Sequence, residues 1–471
     1  MPRGAAGGAA AFALTAWLAA DNGGFDATTW NLALIVVCAV ALVVVLVDGG
    51  ERPTPHAAVF VGALGLLTAW TALSYFWSDS PPLALVEAQR VALYFTVALA
   101  VVLTRRWLEP PWLCAGVAGA ATLVAAWNLV LHLRGVANAA ETGAAAAPVG
   151  YANSLALLCV IGAVALLALP RAALVVLPVL AADLVVQSST GAWAALAFAL
   201  IAYVFATRPR TRWALAVVAV LCAAAAPLAL RGHERTAYWH VAVREAEANP
   251  VAGSGAGTFA GWWLRDRSTP ISTKEAHSLY LETLAELGPL GLALLLCALA
   301  VAVAAAFKGR LPVLGAAVTA YAVGAAVDFH WELAGVTVPA VILGAAAVSA
   351  PRPRRSPVQA LPVLIALIAA TVLAYAGNER LTSARAALSS GDDVRAASDA
   401  RSALRLAPFS ADAWEVIGDA THSAAPYRRG IALDRNDWNL WFQLAAVTSG
   451  EPHRLAAREA ARLNPLGPSE P

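Results

Sequence analysis

Long stretches almost free of charge recur along this 471-residue chain and leave it little choice of fold. Thirteen lie near residues 5–20, 30–47, 57–77, 83–103, 112–131, 149–169, 172–187, 191–206, 213–230, 278–306, 313–329, 336–350 and 360–376. A helix that crosses a bilayer takes about 20 mostly apolar residues. The expected fold class is therefore all-α, a polytopic membrane helix bundle of about 12–13 spans. The first run is read as a span rather than a signal peptide. The pair flanking Pro170 and Arg171 reads either as two spans or as a re-entrant pair. Composition agrees: 60% of residues are hydrophobic and 13% charged, against roughly 45–50% and about 25% in soluble domains. That excludes an ordinary soluble enzyme, and it excludes disorder, which needs low hydrophobicity and high charge. A net charge of +2 gives no support for a nucleic-acid partner.

Loop charge tests the count, because cytoplasmic loops collect Lys and Arg. With the N-terminus inside, the inner loops hold Arg3, Arg52, Arg105, Arg106, Arg171, Arg208, Arg210, Arg212, Lys308, Arg310, Arg352, Arg354 and Arg355, whereas the short outer loops hold Arg134 alone. The expectation is a multi-pass protein of the cytoplasmic membrane with a cytoplasmic N-terminus and an extracytoplasmic C-terminal part. Trp30, Trp77, Trp107, Trp112, Trp213 and Trp331 fall at span ends, where amphipathic rings settle. The five cysteines lie within spans, show no C-x-x-C spacing and read as small packing residues.

Two stretches break the apolar rule. Residues 231–277 form a long outer loop inside a membrane domain spanning 1–376. The loop carries Arg231, Arg235, Arg244, Arg265, Arg267 and Lys274 against Glu234, Glu245, Glu247, Asp266 and Glu275. It reads either as a solvated loop with ion pairs or as an anion site. Residues 377–471 have soluble composition, with eleven Arg and twelve Asp plus Glu. There Trp414-Glu415-Val416-Ile417-Gly418 is echoed by Trp441-Phe442-Gln443-Leu444-Ala445, and Leu406-Ala407-Pro408 by Leu463-Asn464-Pro465. This pattern resembles tetratricopeptide repeats with a shortened period, and implies a helical-hairpin array that holds a protein partner or braces its neighbours.

The outer loop also carries ordered motifs. Arg235-x-x-x-Trp239 precedes Pro250-x-x-Gly253-x-Gly255-x-Gly257-x-Phe259, and His277-Ser278 leads into Glu286-Leu287-Gly288-x-x-Gly291. Elsewhere stand Trp77-Ser78-x-x-Pro81, Gly150-Tyr151-x-Asn153 and Asp328-Phe329-His330. Together the set resembles the O-antigen ligase and polymerase superfamily of membrane glycosyltransferases. The glycine run alone is no dinucleotide fingerprint, since no strand–turn–helix surrounds it. One departure is Ser188-Ser189-Thr190-Gly191, where Thr190 stands in place of an arginine that many members carry.

The resemblance implies transfer of a glycan from a polyprenyl diphosphate carrier to an acceptor hydroxyl (on a glycan, lipid or protein) at the outer face of the membrane. His277 is the implied catalytic base, with Glu275 and Glu282 as runners-up. An imidazole titrates near ~6.5 and so takes a proton at neutral pH. Ser272-x-x-Glu275 fits a capping box, so a helix is expected to begin at Thr273. His277 would then sit in its first turns, where the dipole favours the neutral ring. Arg235 is the first candidate for the diphosphate, because a guanidinium forks onto phosphate and stays charged. Arg265 and Arg267 follow by position. Arg90, inside the fourth span, reads as a substitute for the missing arginine or as an ion pair with Glu87, three residues earlier on one helix face. Trp239, Glu282, Asp328 and His330 are candidate pocket residues. No metal-ligand spacing appears, and metal-independent transfer with no cofactor is expected. Competing readings are a transporter of polysaccharide or lipid-linked glycan, which should show paired broken spans in both halves, and a non-catalytic assembly scaffold that docks through the tail.

Overall fold

Every apolar run within the described residues is helical. The computed structural model describes residues 3–136, 146–208, 234–350, 354–355 and 361–468; the predicted span at 213–230 lies outside them. The helices run α1 (Arg3–Ala20), α2 (Ala27–Asp48), α3 (Pro55–Leu73), α4 (Pro81–Leu103), α5 (Pro110–Leu133), α6 (Ala152–Leu166), α7 (Leu177–Gln187) and α8 (Thr190–Thr207). After residue 233 come α9 (Glu234–Ala248), α10 (Phe259–Asp266), α11 (Leu279–Lys308), α12 (Pro312–Gly324), α13 (Ala334–Val348) and α14 (Leu361–Ser389). Prolines open α3, α4, α5 and α12 at the first turn, where a missing N–H costs no helical bond.

Among the described residues seven helices are long and apolar enough to cross a bilayer: α2, α3 with its following turn, α4, α5, α8, α11 and α14. The helices α6 and α13 are shorter, at 15 residues each. At 1.5 Å per residue they span about 22 Å, less than the ~30 Å hydrocarbon core. Both are buried along nearly their whole length, so they form the centre of the bundle and their ends can carry polar residues in protected positions. The stretch after Pro170 is a 3-10 turn (Arg171–Val176) followed by the 11-residue α7, too short to cross alone.

At one end of the bundle a two-residue bridge pairs Gly50 with Arg355 and Glu51 with Arg354, antiparallel. There the Arg106 backbone N–H donates to Glu51 Oε1 at 2.7 Å and Trp107 Nε1 donates to Asp48 Oδ2 at 2.7 Å. The opposite end carries α9, α10 and the loops around Ser78, Tyr151 and Asp328, which bond to one another.

The helix α14 continues without a break past residue 376 and leads into α15 (Asp393–Leu406), α16 (Ala411–Thr421), α17 (Ala424–Leu433), α18 (Trp438–Ala446) and α19 (Gly450–Leu463). Each packs mainly on its sequence neighbours. The echoed Trp-x-x-Ile-Gly has a packing cause. Gly418 leaves room for the Tyr427 ring, which a Cβ would meet at 2.5 Å, so α16 and α17 approach closely. Ser410 and Asp437 cap α16 and α18 by accepting from backbone N–H groups.

Candidate active site

A single buried carboxylate organises the end of the bundle that faces α9. Asp328 lies in the loop between α12 and α13 and is 2% exposed. Its Oδ1 accepts from Tyr151 Oη at 2.9 Å, the Phe329 backbone N–H at 3.0 Å and His277 Nδ1 at 3.0 Å. Its Oδ2 accepts from Asn153 Nδ2 at 2.8 Å and Arg235 NH2 at 2.9 Å. Arg235 also donates to the Val327 carbonyl at 2.6 Å. Burial alone would raise the Asp328 carboxyl. The hydrogen bond from His277 and the nearby His330 and Arg235 outweigh it and hold Asp328 well below the usual carboxylate range. An ionised carboxylate only accepts, so Nδ1 of His277 carries the hydrogen and Nε2 is the nitrogen at which the ring can take up a proton.

Packing fixes the same ring. Tyr238 of α9 stacks on His277 with centroids 5.1 Å apart and planes 22° off parallel. Phe329 meets it edge-on at 4.8 Å, and Trp239 Nε1 donates to its carbonyl at 3.4 Å. The expected helix start at Thr273 is not observed. The helix α11 begins at Leu279, with Ser278 as N-cap and His277 outside it at φ +52°. The cause lies in the competing caps. Thr273 turns locally onto Glu275, while Glu282 reaches back to accept from the Ala276 N–H at 2.8 Å. The carboxylate of Asp328, rather than the helix end, therefore orients His277.

His330 lies close enough to Asp328 to feel its charge. Its Nδ1 lies 2.8 Å from Ser154 Oγ, and burial lowers its pKa to about 4 despite Asp328, so it stays neutral.

The glycine run is a clamp between the outer loop and α11. Ser254 N–H donates to the Ala285 carbonyl at 3.1 Å and Gly255 N–H to the Glu286 carbonyl at 2.9 Å. The Glu286 carboxylate accepts from Gly257 N–H at 2.8 Å and Phe259 N–H at 3.0 Å. Gly255 sits at φ +105°, where a Cβ would meet Ser78 at 2.3 Å, so only glycine fits. Within this clamp Glu245 accepts from Ser254 Oγ at 2.6 Å and Thr258 Oγ1 at 2.9 Å. Burial pushes Glu245 up to about 8 despite those bonds. The unfolded chain releases that proton near the ordinary glutamate value of about 4.3, so the loop loses stability as pH rises from there towards 8. Hydrogen exchange of residues 245–259, corrected for intrinsic rate, should show weaker protection at pH 8.5 than at pH 6. In Glu245→Gln the difference should vanish; an equal difference in both proteins would refute the assignment.

The remaining candidates divide. Arg90 is enclosed, 2% exposed, and pairs with Glu87 and with Glu332 beside the faces of Trp331 and Trp30. The ion pair read from the sequence is present, and Glu332 joins it. Glu275, Glu282 and Glu332 bring one carboxylate oxygen each within 4.8 Å of one another. Among the described residues they are the group able to hold a cation, and Arg90 already supplies a positive charge there. Arg265 stacks on Trp262 at 4.1 Å, and Arg267 donates to the Pro270 and Ile271 carbonyls and to Asn464 Oδ1 of the tail. Thr190 is exposed at the start of α8, which Ser189 caps.

The sequence reading assigned no role to Tyr151, Asn153, Ser154 or Tyr238. The signal was present in Gly150-Tyr151-x-Asn153, since a buried aspartate needs several donors and this motif offers two on one turn.

Residues 173–296 match the family model described as O-antigen ligase. The match covers α7, α8, α9, the glycine clamp, His277 and the first half of α11. No curated protein matches the chain. Seven helices long and apolar enough to cross a bilayer mark a multi-pass membrane protein, and its residues 173–296 are similar to the O-antigen ligase family.

Proposed function

We propose that the chain transfers a glycan from a polyprenyl diphosphate carrier to an acceptor hydroxyl at the outer face of the cytoplasmic membrane. The observation that carries this reading is the convergence of Tyr151, Asn153, Arg235 and His277, from three separate segments, on Asp328. Nε2 of His277 takes the proton of the acceptor hydroxyl while its oxygen attacks the anomeric carbon. The bond from that carbon to the diphosphate oxygen breaks, and polyprenyl diphosphate leaves. Asp328 then stabilises the imidazolium, as the buried aspartate of a hydrolase triad does. Arg235 stands beside it, about one-fifth exposed, and meets the charge that gathers on the leaving diphosphate. That role needs no metal ion. The helices after Ser389 form a repeat-like array outside the membrane that braces the loop.

The test uses purified protein in lipid nanodiscs with lipid-linked glycan extracted from the producing cells. Release of polyprenyl diphosphate is expected from the native chain, reduced about 10²–10⁴-fold in His277→Ala. A transporter or a scaffold releases none, and equal release by both proteins would remove His277 from the chemistry.

A further inference from the structure

Two consecutive tryptophans of α10 face different neighbours. Trp263 packs edge-on against Tyr238, which stacks on His277. Trp262 donates from Nε1 to Asp79 Oδ2 at 3.1 Å and lines a cavity of about 150 Å³ between the outer loop and the tail. The membrane part contributes Asp79, Trp262 and Arg265 to its wall, and the tail contributes Asp412, Asp437 and Trp438.

The wall is built by specific contacts. Ser80 donates to Asp434, Asn436 Nδ2 donates to the Asp79 carbonyl at 2.7 Å, and Arg267 reaches Asn464 at 2.8 Å. The tail is thus seated on the loop around this space. Burial and the neighbouring Asp434 and Asp412 push Asp437 up to about 7. The wall sets the carboxylates of Asp79, Asp412, Asp434 and Asp437 against one arginine of its own, Arg265, and even with Arg385 paired to Asp412 from outside it the negative charge is in excess and repels a diphosphate. These carboxylates suit a neutral ligand rich in hydroxyl donors, since each carboxylate oxygen keeps spare lone pairs. The Trp438 indole adds an apolar face on which a sugar ring's C–H side packs, beside Trp262, one face of which Arg265 covers. The volume is well below the roughly 300–1,000 Å³ of a drug-sized site, which fits one sugar unit.

We infer that this cavity, walled jointly by the loop and the tail, binds one sugar unit of the acceptor glycan and so holds the acceptor one helix away from His277. The inference rests on the glycosyl-transfer reading above, and it gives the tail a part in substrate binding.

The probe is the repeat-unit oligosaccharide released from the producing cells' polysaccharide by mild acid. Its binding is measured on the full-length His277→Ala protein in nanodiscs by saturation-transfer NMR, so that no turnover enters. Saturable binding is expected, weakened about tenfold in Trp438→Ala and restored in Trp438→Phe. On the His277-intact protein, Trp438→Ala should raise KM for the acceptor with kcat unchanged. Absence of oligosaccharide binding while transfer proceeds would overturn the subsite and leave the enzyme reading standing. Binding without any transfer by the native chain would sink the enzyme reading instead. A fall in kcat at constant KM would reduce the tail to a brace. Stabilisation by calcium chloride alone, with none from the oligosaccharide, would mark a cation site and overturn the proposal.

Discussion

Asp328→Asn is expected to abolish transfer almost as completely as loss of His277 while leaving the protein folded in the membrane. Arg235 and Asn153 can only donate through the nitrogens they aim at Oδ2 of Asp328. The amide oxygen of an asparagine turns to that side, because these two donors, one of them charged, outweigh the Phe329 N–H on the other. Its NH2 then faces His277 Nδ1, which has to become the acceptor, and the ring hydrogen moves to Nε2. The base is left in the wrong tautomer, and the Phe329 N–H loses its acceptor. The analogous change in a hydrolase triad costs about 10⁴ in kcat, and a loss of about 10³–10⁴-fold is expected here. The double variant with His277→Ala should be no worse than the worse single variant, because the two residues act as one unit. Release of polyprenyl diphosphate by all three proteins checks this. Losses that multiply, or a mild effect of Asp328→Asn, would show that the two side chains work separately.

Arg90→Ala is the second large effect, and it falls on stability. The guanidinium lies between the carboxylates of Glu87 and Glu332 with the ring of Trp331 against it. Removing it strands two carboxylates in the bundle. Breaking a buried pair in this way costs about 3–5 kcal/mol. Lysine keeps the charge but cannot fork between two partners, so Arg90→Lys should recover only part of the loss. The check is equilibrium unfolding in mixed micelles, with the order native, Lys, Ala. If the alanine variant unfolds with the native protein, Arg90 is free to act on substrate and the ion-pair assignment is wrong.

Much of this was legible in the sequence. Charge-free runs gave the helices, because a bilayer leaves the backbone no other solution. Motif order singled out Arg235, Asp328, His330 and His277; Arg235 and His277 bond the Asp328 carboxylate, and His330 bonds Ser154 close by. Three things were hidden. The helix start at Leu279 depended on which of two nearby glutamates would turn back on the chain. Glu282 does so, and His277 takes the left-handed backbone between. The partners of Arg267 could not be read from the loop alone, because Asn464, 197 residues further on, accepts from it. Tyr151 and Asn153 offered two donors in one motif, but their acceptor, Asp328, stands 177 and 175 residues further on.

The central claim is that His277, oriented by Asp328, is the base of a glycan transfer. The most direct measurement is made in producing cells in which the native chain is replaced by His277→Ala. Protein level in the membrane, polymer or glycoconjugate formed, and lipid-linked glycan are quantified together. Normal protein level, loss of product and accumulation of the lipid-linked glycan are expected. Unchanged product with no accumulation, at the same protein level, would contradict the claim.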